Sequence, residues 1–331
     1  MDAAPEFRKA LRGRGRLAAS LPGRCVYEDR DIARLMRWAD DGGITNENLD
    51  RMQADPAFPK AVRTLVRNMM RAAEADKALD GIFKDAGRYL AAMWGVYLHV
   101  SGGLTLPRLK ELCGASGFLS PGRARAMLLY LRYLGYIKPA ATMHGEPSRY
   151  APTAQFMATW QNHMRAALEA ARVIEPCIDL VLAQLHKPEI LESFARLQSE
   201  GLWTEARQVD QGNAFVRVFM HRLAGSQVVW TLLSDARDEA FPPRDAIAFS
   251  MSGAARKFGV SRMHIKRLIE DAEREGLLEH CKDGRILIQE RAVPEFRYVY
   301  AGQIIRLLIA AAKTLRERPE LLDQSRQLEN A

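Results

Sequence analysis

Ser120 and Ser261 each open a stretch that repeats along the chain at an offset of 141 residues. In the later stretch, Ile265, Leu268, Ile269 and Ala272 recur at three- and four-residue spacing, which places them on one face of a helix. Ser261 stands where an N-cap belongs, and Gly276 where the helix stops in a left-handed conformation. In the earlier stretch Ala124, Met127, Leu128 and Leu131 fall on those four apolar positions, and Gly135 falls on Gly276. Farther on, an offset of 140 aligns Phe156, Trp160, Met164, Ala167 and Ala171 with Phe296, Tyr300, Ile304, Leu307 and Ala311. Upstream, an offset of 136 aligns Ile82, Phe83 and Trp94 with Val218, Phe219 and Trp230, the change being absorbed by loops of different length. Cap, buried stripe and stop kept together over about a hundred residues imply an internal duplication, so the chain is expected to fold as two similar units.

The order within each unit follows from its punctuation. In SMSGAARKFGVSRMHIKRLIEDAEREGLLEHCKDGRILIQ, residues 250–289, a short helix burying Ala255 and Phe258 is joined through Gly259 and Val260 to the helix begun by Ser261. Two β-type runs, LLEHC and RILIQ, then flank a Lys282-Asp283-Gly284 turn, which is a hairpin signal. Residues 105–152 repeat this order with a longer turn, CGASGFLSPG. Long helix, helix, turn, helix, two-stranded wing, long helix: this resembles the MarR-type winged helix-turn-helix transcriptional regulators. The likeness spans roughly 78–175 and 212–316 and rests on this order and on the segment VSRMHIKRLIEDAEREGLL. It implies an intramolecular pseudo-dimer, a small-molecule effector between the long helices and the winged lobe near Trp94 or Trp230, and a redox sensor at Cys113. The residues themselves favour a buried structural thiol at Cys113, since no second cysteine lies near it in sequence.

The fold expected is mainly α with small β-wings: two tandem winged helix-turn-helix units flanked by long helices, plus an N-terminal helical module. A basic arm with little to bury covers 1–20, and the helical module 21–76, with helices near 29–39, 45–53 (capped by Thr45) and 59–75. Unit 1 with its flanking helices covers 77–175, linker helices 176–211, unit 2 with its flanking helices 212–318, and a tail 319–331. Excess Lys and Arg give a net charge of +8, which suits a phosphate-bearing partner. The four cysteines lie far apart and the seven histidines share no ligand spacing, so neither a metal site nor a disulfide framework is expected. No cofactor is expected, since no phosphate loop, nucleophile elbow or paired-carboxylate pattern occurs, and catalysis is the least expected activity. No apolar run approaches a membrane span, so the chain is expected to be cytoplasmic and nucleoid-associated.

A winged helix lays the first turns of its second helix in the major groove, while the wing reaches phosphates. On the 262–274 helix the outward face carries Met263, Arg267, Glu270 and Arg274, with Arg262, His264 and Lys266 on the flanks. Arg267 is the residue expected to grip a guanine edge, while Ser261, Arg262, Lys266, Lys282 and Arg285 suit phosphates and His264 flanks them. The acids Glu270, Asp271, Glu273 and Glu275 lie farther down the helix, where phosphate proximity penalises them less. In the first copy the outward positions are Gly122, Ala126, Leu129 and Tyr133, with Ser120, Arg123, Arg125, Lys138 and Arg149 as the candidate contacts. Either this face approaches DNA, with Ala126 against a thymine methyl, or it is covered by the N-terminal module, a second chain or another protein partner at Ala126, Leu129 and Tyr133. The function expected is a sequence-specific regulator of transcription on double-stranded DNA. The alternatives are a plasmid- or phage-type replication initiator on repeated origin DNA and a winged-helix protein-interaction module.

Overall fold

The computed structural model describes residues 27–40, 43–142, 144–206, 213–235 and 239–322. The 1–20 arm, the first residues of the N-terminal module (21–26), the 207–212 connection and the end of the tail (323–331) lie outside the described residues. The protein is mainly helical, with two small antiparallel three-stranded sheets.

The N-terminal module comprises α1 (Asp29–Asp40), α2 (Asn46–Ala54) and α3 (Phe58–Ala75), close to the three helices expected. Thr45 caps α2 by accepting from the Asn48 backbone N–H at 3.2 Å, and Pro59 occupies the first turn of α3, where its missing N–H costs nothing. A further helix, α4 (Lys77–Phe83), is capped by Asp76, and α5 (Ala86–Val100) follows it. One long helix is expected here, yet the chain breaks at Asp85, whose carboxylate caps α5 by accepting from the Arg88 N–H. The matching segment of the second half breaks too. A π-helical turn, Val216–Met220, precedes α11 (Gly225–Asp235), with Ala224 at a φ of +61° between them. Only glycine fits the start of α11, because a Cβ there would overlap the Phe219 backbone carbonyl.

Two units of identical element order follow these helices. The first runs β1 (Leu104–Thr105), α6 (Leu106–Ala115), α7 (Pro121–Tyr133), β2 (Ile137–Ala140), β3 (Arg149–Pro152) and α8 (Ala154–Ala171). Then come α9 (Asp179–Gln184) and α10 (Pro188–Ala206), where linker helices are expected. The second runs β4 (Ile247–Ala248), α12 (Met251–Phe258), α13 (Arg262–Arg274), β5 (Leu278–His280), β6 (Arg285–Ile288) and α14 (Val293–Glu317). In both sheets the hairpin's second strand lies centrally, flanked by the first hairpin strand and by the short strand that precedes the helices.

The match extends to individual hydrogen bonds. Ser120 and Ser261 cap α7 and α13 through the N–H groups of Arg123 and His264. At the other end Tyr136 N–H reaches the Leu131 carbonyl and Leu277 N–H the Ala272 carbonyl, while Gly135 and Gly276 sit at φ of +69° and +72°. Both helices thus end in the same Schellman closure, which needs a left-handed residue and so favours glycine. The aligned stripes of α8 and α14, from Phe156 to Ala171 and from Phe296 to Ala311, are buried throughout.

The halves share one core. α14 packs on α10, α1, α2 and α8, and α3 packs on α8 and α11. Glu175, nearly inaccessible, accepts from Arg34 Nε at 2.6 Å and Trp38 Nε1 at 2.9 Å, tying the module to the end of unit 1. Between the halves Gln227 donates to Asp80, Ala224 N–H to the Lys84 carbonyl, and the Phe118 and His221 rings stack 4.6 Å apart.

Candidate nucleic-acid interface

The outer surface of α13 is set by its core stripe. Ile265, Leu268, Ile269 and Ala272 are buried against α12, which turns Arg262, Met263, Lys266, Arg267, Glu270 and Arg274 outward. Arg262 and Arg267 are exposed and form no ion pair among the described residues. Lys266 is exposed and lies 3.4 Å from Glu270 on the next turn. The hairpin adds exposed Lys282 and Arg285, the latter 2.7 Å from Asp283.

The acids of α13 are engaged internally. Asp271 pairs with Arg222 and with Arg274 (2.8 Å), and Glu275 pairs with Arg217 at 2.6 Å. Glu273 accepts from the His280 backbone N–H at 2.8 Å. With each acid offset by a nearby donor, the first turns of α13 keep the positive field that their arginines supply. Ion pairs at such exposure add little stability, so their effect is on the charge pattern.

Two of the expected contacts have other work. His264 is half-buried, and its Nε2 lies 2.7 Å from the Leu223 carbonyl, which turns the ring toward the segment before α11 and away from the outer face. A wheel projection puts it on the flank because the projection contains no tertiary neighbour. Ser261 and Ser120 spend their hydroxyl oxygens as caps, so they set where α13 and α7 begin.

Unit 1 presents a different face. Gly122, Ala126, Leu129 and Tyr133 all point to solvent, with Leu129 51% and Tyr133 85% exposed. The N-terminal module therefore does not cover them, and that alternative is set aside. It packs instead on the long helices α8 and α14. Arg125 and Lys138 are exposed without an ion pair among the described residues, whereas Arg123 lies 3.6 Å from Asp85 and half-buried Arg149 lies 3.4 Å from Glu146. At the position where α13 carries Arg267, α7 carries Ala126.

Arg256 and Lys257, at the end of α12, also belong to the basic surface, and Arg256 has no ion pair among the described residues. Their signal was the adjacent cation pair in GAARKFG. Cys113 is fully buried and its thiol is pushed up to about 12 by desolvation, as fits a structural thiol. Among the described residues there is no cluster of side chains able to hold a metal, and no helix long and apolar enough to cross a membrane. Comparison with protein-family models, with curated proteins and with solved structures finds no match to the chain.

Proposed function

We propose that the chain is a sequence-specific regulator of transcription that grips double-stranded DNA through two winged helix-turn-helix units joined as an intramolecular pseudo-dimer. The observation that carries the reading is the outer face of α13. Arg262 and Arg267, which have no ion pair among the described residues, stand on the first turns of a serine-capped helix, the helix is second in a strand-helix-helix-hairpin unit, and the acids behind them are offset by nearby donors. In this reading Arg267 takes a guanine edge, Arg262 and Lys266 take phosphates, and the hairpin brings Lys282 and Arg285 to the backbone. Unit 1, with Ala126 in place of Arg267, contributes phosphate contacts through Arg125 and Lys138 and apolar contact with a thymine methyl.

The two reading faces differ, so the target is asymmetric or an imperfect palindrome, its halves about one helical turn apart. Selection of bound fragments from genomic DNA, with the wild type and Arg267→Ala side by side, tests this. A discrete motif that relaxes at one position in the variant is the expected result. Two protected half-sites of identical sequence would contradict it. A second reading has one specific observation in its favour: exposed Leu129 and Tyr133 form an apolar pair suited to a protein partner. Under that reading, Tyr133→Glu abolishes the partner contact and leaves DNA selection unchanged.

A further inference from the structure

A groove of about 330 Å³ lies between the end of α3, the helix α4 and the end of α12. An apolar void of roughly 150 Å³ holds a benzene ring, so the groove has room for a phenol and the backbone that carries it. Its apolar wall includes Met70, Ala73 and Phe258, the last two buried.

The rim is cationic. Lys77, Lys84, Arg256 and Lys257 line the groove against Glu74 and Asp80. Both acids are engaged: Lys257 lies 2.8 Å from Glu74, and Asp80 accepts from Gln227 with Lys84 3.9 Å away. Lys77 and Arg256 are exposed and form no ion pair among the described residues. The positive surface runs on along α3, where Arg71 and Arg67 stand one and two turns before Glu74, exposed and likewise without an ion pair among the described residues. From Arg67 to Glu74 the helix rises about 10 Å, the length of about three residues of extended chain. A small anion would fill one end of this surface, whereas a segment of polypeptide would follow it.

One buried atom bears on what kind of chain fits. Gln227, 2% exposed in the groove wall, donates through Nε2 to Asp80, and its Oε1 has no partner among the described residues. Buried polar atoms are nearly always paired and a carboxamide oxygen only accepts, so the occupant brings a donor. The DNA backbone has none, since it lacks the 2′-hydroxyl of RNA. A tyrosine hydroxyl donates, and its ring suits the apolar wall.

We infer that the groove docks an acidic segment of a partner protein. Its carboxylates lie along Arg67, Arg71, Lys77 and Arg256, and one tyrosine enters over Met70 and Phe258 to donate to Gln227. None of these residues belongs to the outer face of α13, so the inference stands whether or not that face binds DNA.

The test titrates the full chain with a fluorescein-labelled decapeptide of aspartate and glutamate around one tyrosine, following anisotropy. Saturable binding of one peptide per chain is expected, with the phenylalanine counterpart about tenfold weaker for want of the hydrogen bond. Lys77→Glu combined with Arg256→Glu, both at exposed positions, should weaken the tyrosine peptide about tenfold. Gln227→Leu should make the tyrosine and phenylalanine peptides equal, and the charge reversal suffices if that variant does not fold. Absence of saturable binding, an affinity unmoved by the charge reversal, or a tyrosine preference that survives Gln227→Leu would each overturn the inference. Displacement of the peptide by single-stranded RNA, itself weakened more than the peptide by both variants, would give the surface to RNA and overturn it as well.

Discussion

The salt dependence of DNA binding offers the sharpest check on the proposed interface. Of the cations expected at DNA, Lys266 and Arg285 are already offset by Glu270 and Asp283, and Arg123 and Arg149 by Asp85 and Glu146. Arg125, Lys138, Arg262, Arg267 and Lys282 are exposed without such an offset among the described residues. If Arg267 takes a base edge, four cations remain for phosphates. At about 0.9 per contact, the slope of log Kobs against log salt is then about −3.6, and affinity falls about 150-fold between 50 and 200 mM salt. Arg262→Ala or Lys282→Ala should each make the slope shallower by about 0.9, while Lys266→Ala should change it by less than half of that. Arg267→Ala should reduce the preference for the selected duplex over a scrambled one by roughly 5- to 150-fold, the equivalent of about 1–3 kcal/mol. Fluorescence anisotropy on the two duplexes across a salt series measures all of these. A slope shallower than −1, or one that Arg262→Ala and Lys282→Ala both leave untouched, would remove the phosphate contacts from the account.

Four further outcomes follow from the packing and burial. Ile269→Ala, at a position 1% exposed beneath α13, should cost about 2–5 kcal/mol in urea denaturation. Arg267→Ala should leave stability within about 0.5 kcal/mol, and a cost equal to that of Ile269→Ala would show that the residue is structural. His163, neutral and buried with a pKa near 3, is charged in the unfolded chain below about pH 6.5. Its contribution is therefore complete above about pH 6.5 and lost as pH falls toward 3, amounting to about 2 kcal/mol at pH 5. Urea melts of His163→Phe should be flatter than wild type over that window, and an unchanged pH slope would refute the assignment. Lastly, Cys113 and Cys177, both buried with thiols pushed up to about 12, should resist iodoacetamide in the native chain while half-buried Cys281 reacts. Native labelling of Cys113 at the rate of Cys281, read by mass spectrometry, would contradict their burial.

Much of the fold was legible because the strongest local signals coincide. Ser261, the four-residue apolar stripe and Gly276 bound α13 to within a residue, and their counterparts bound α7 as well. What was not legible depends on neighbours distant in sequence. The strands β1 and β4 have two residues each, too few to show alternation, and they exist because a hairpin edge pairs with them. One long helix is expected upstream of each unit, yet Asp85 and the Ala224–Gly225 corner break it. At the site, the outward positions of Arg267 and Arg262 follow from helical periodicity alone. The inward turn of His264 depends on the Leu223 carbonyl, and the offset of Asp271 and Glu275 on Arg222 and Arg217, none of which a wheel contains.

The packing of α14 against α8, α10 and the N-terminal helices carries a consequence for stoichiometry. A symmetric dimer of single units loses its second unit on dilution, so its binding curve steepens through coupled assembly. Here the second unit is covalently present and held by a common core, at a local concentration that does not change with the amount of protein. If the proposed function holds, occupancy of a two-part target should therefore follow a simple hyperbola down to the lowest protein concentrations. Freed from a shared gene segment, the two faces can also change one residue at a time: Ala126 and Arg267 occupy equivalent positions and need never mutate together.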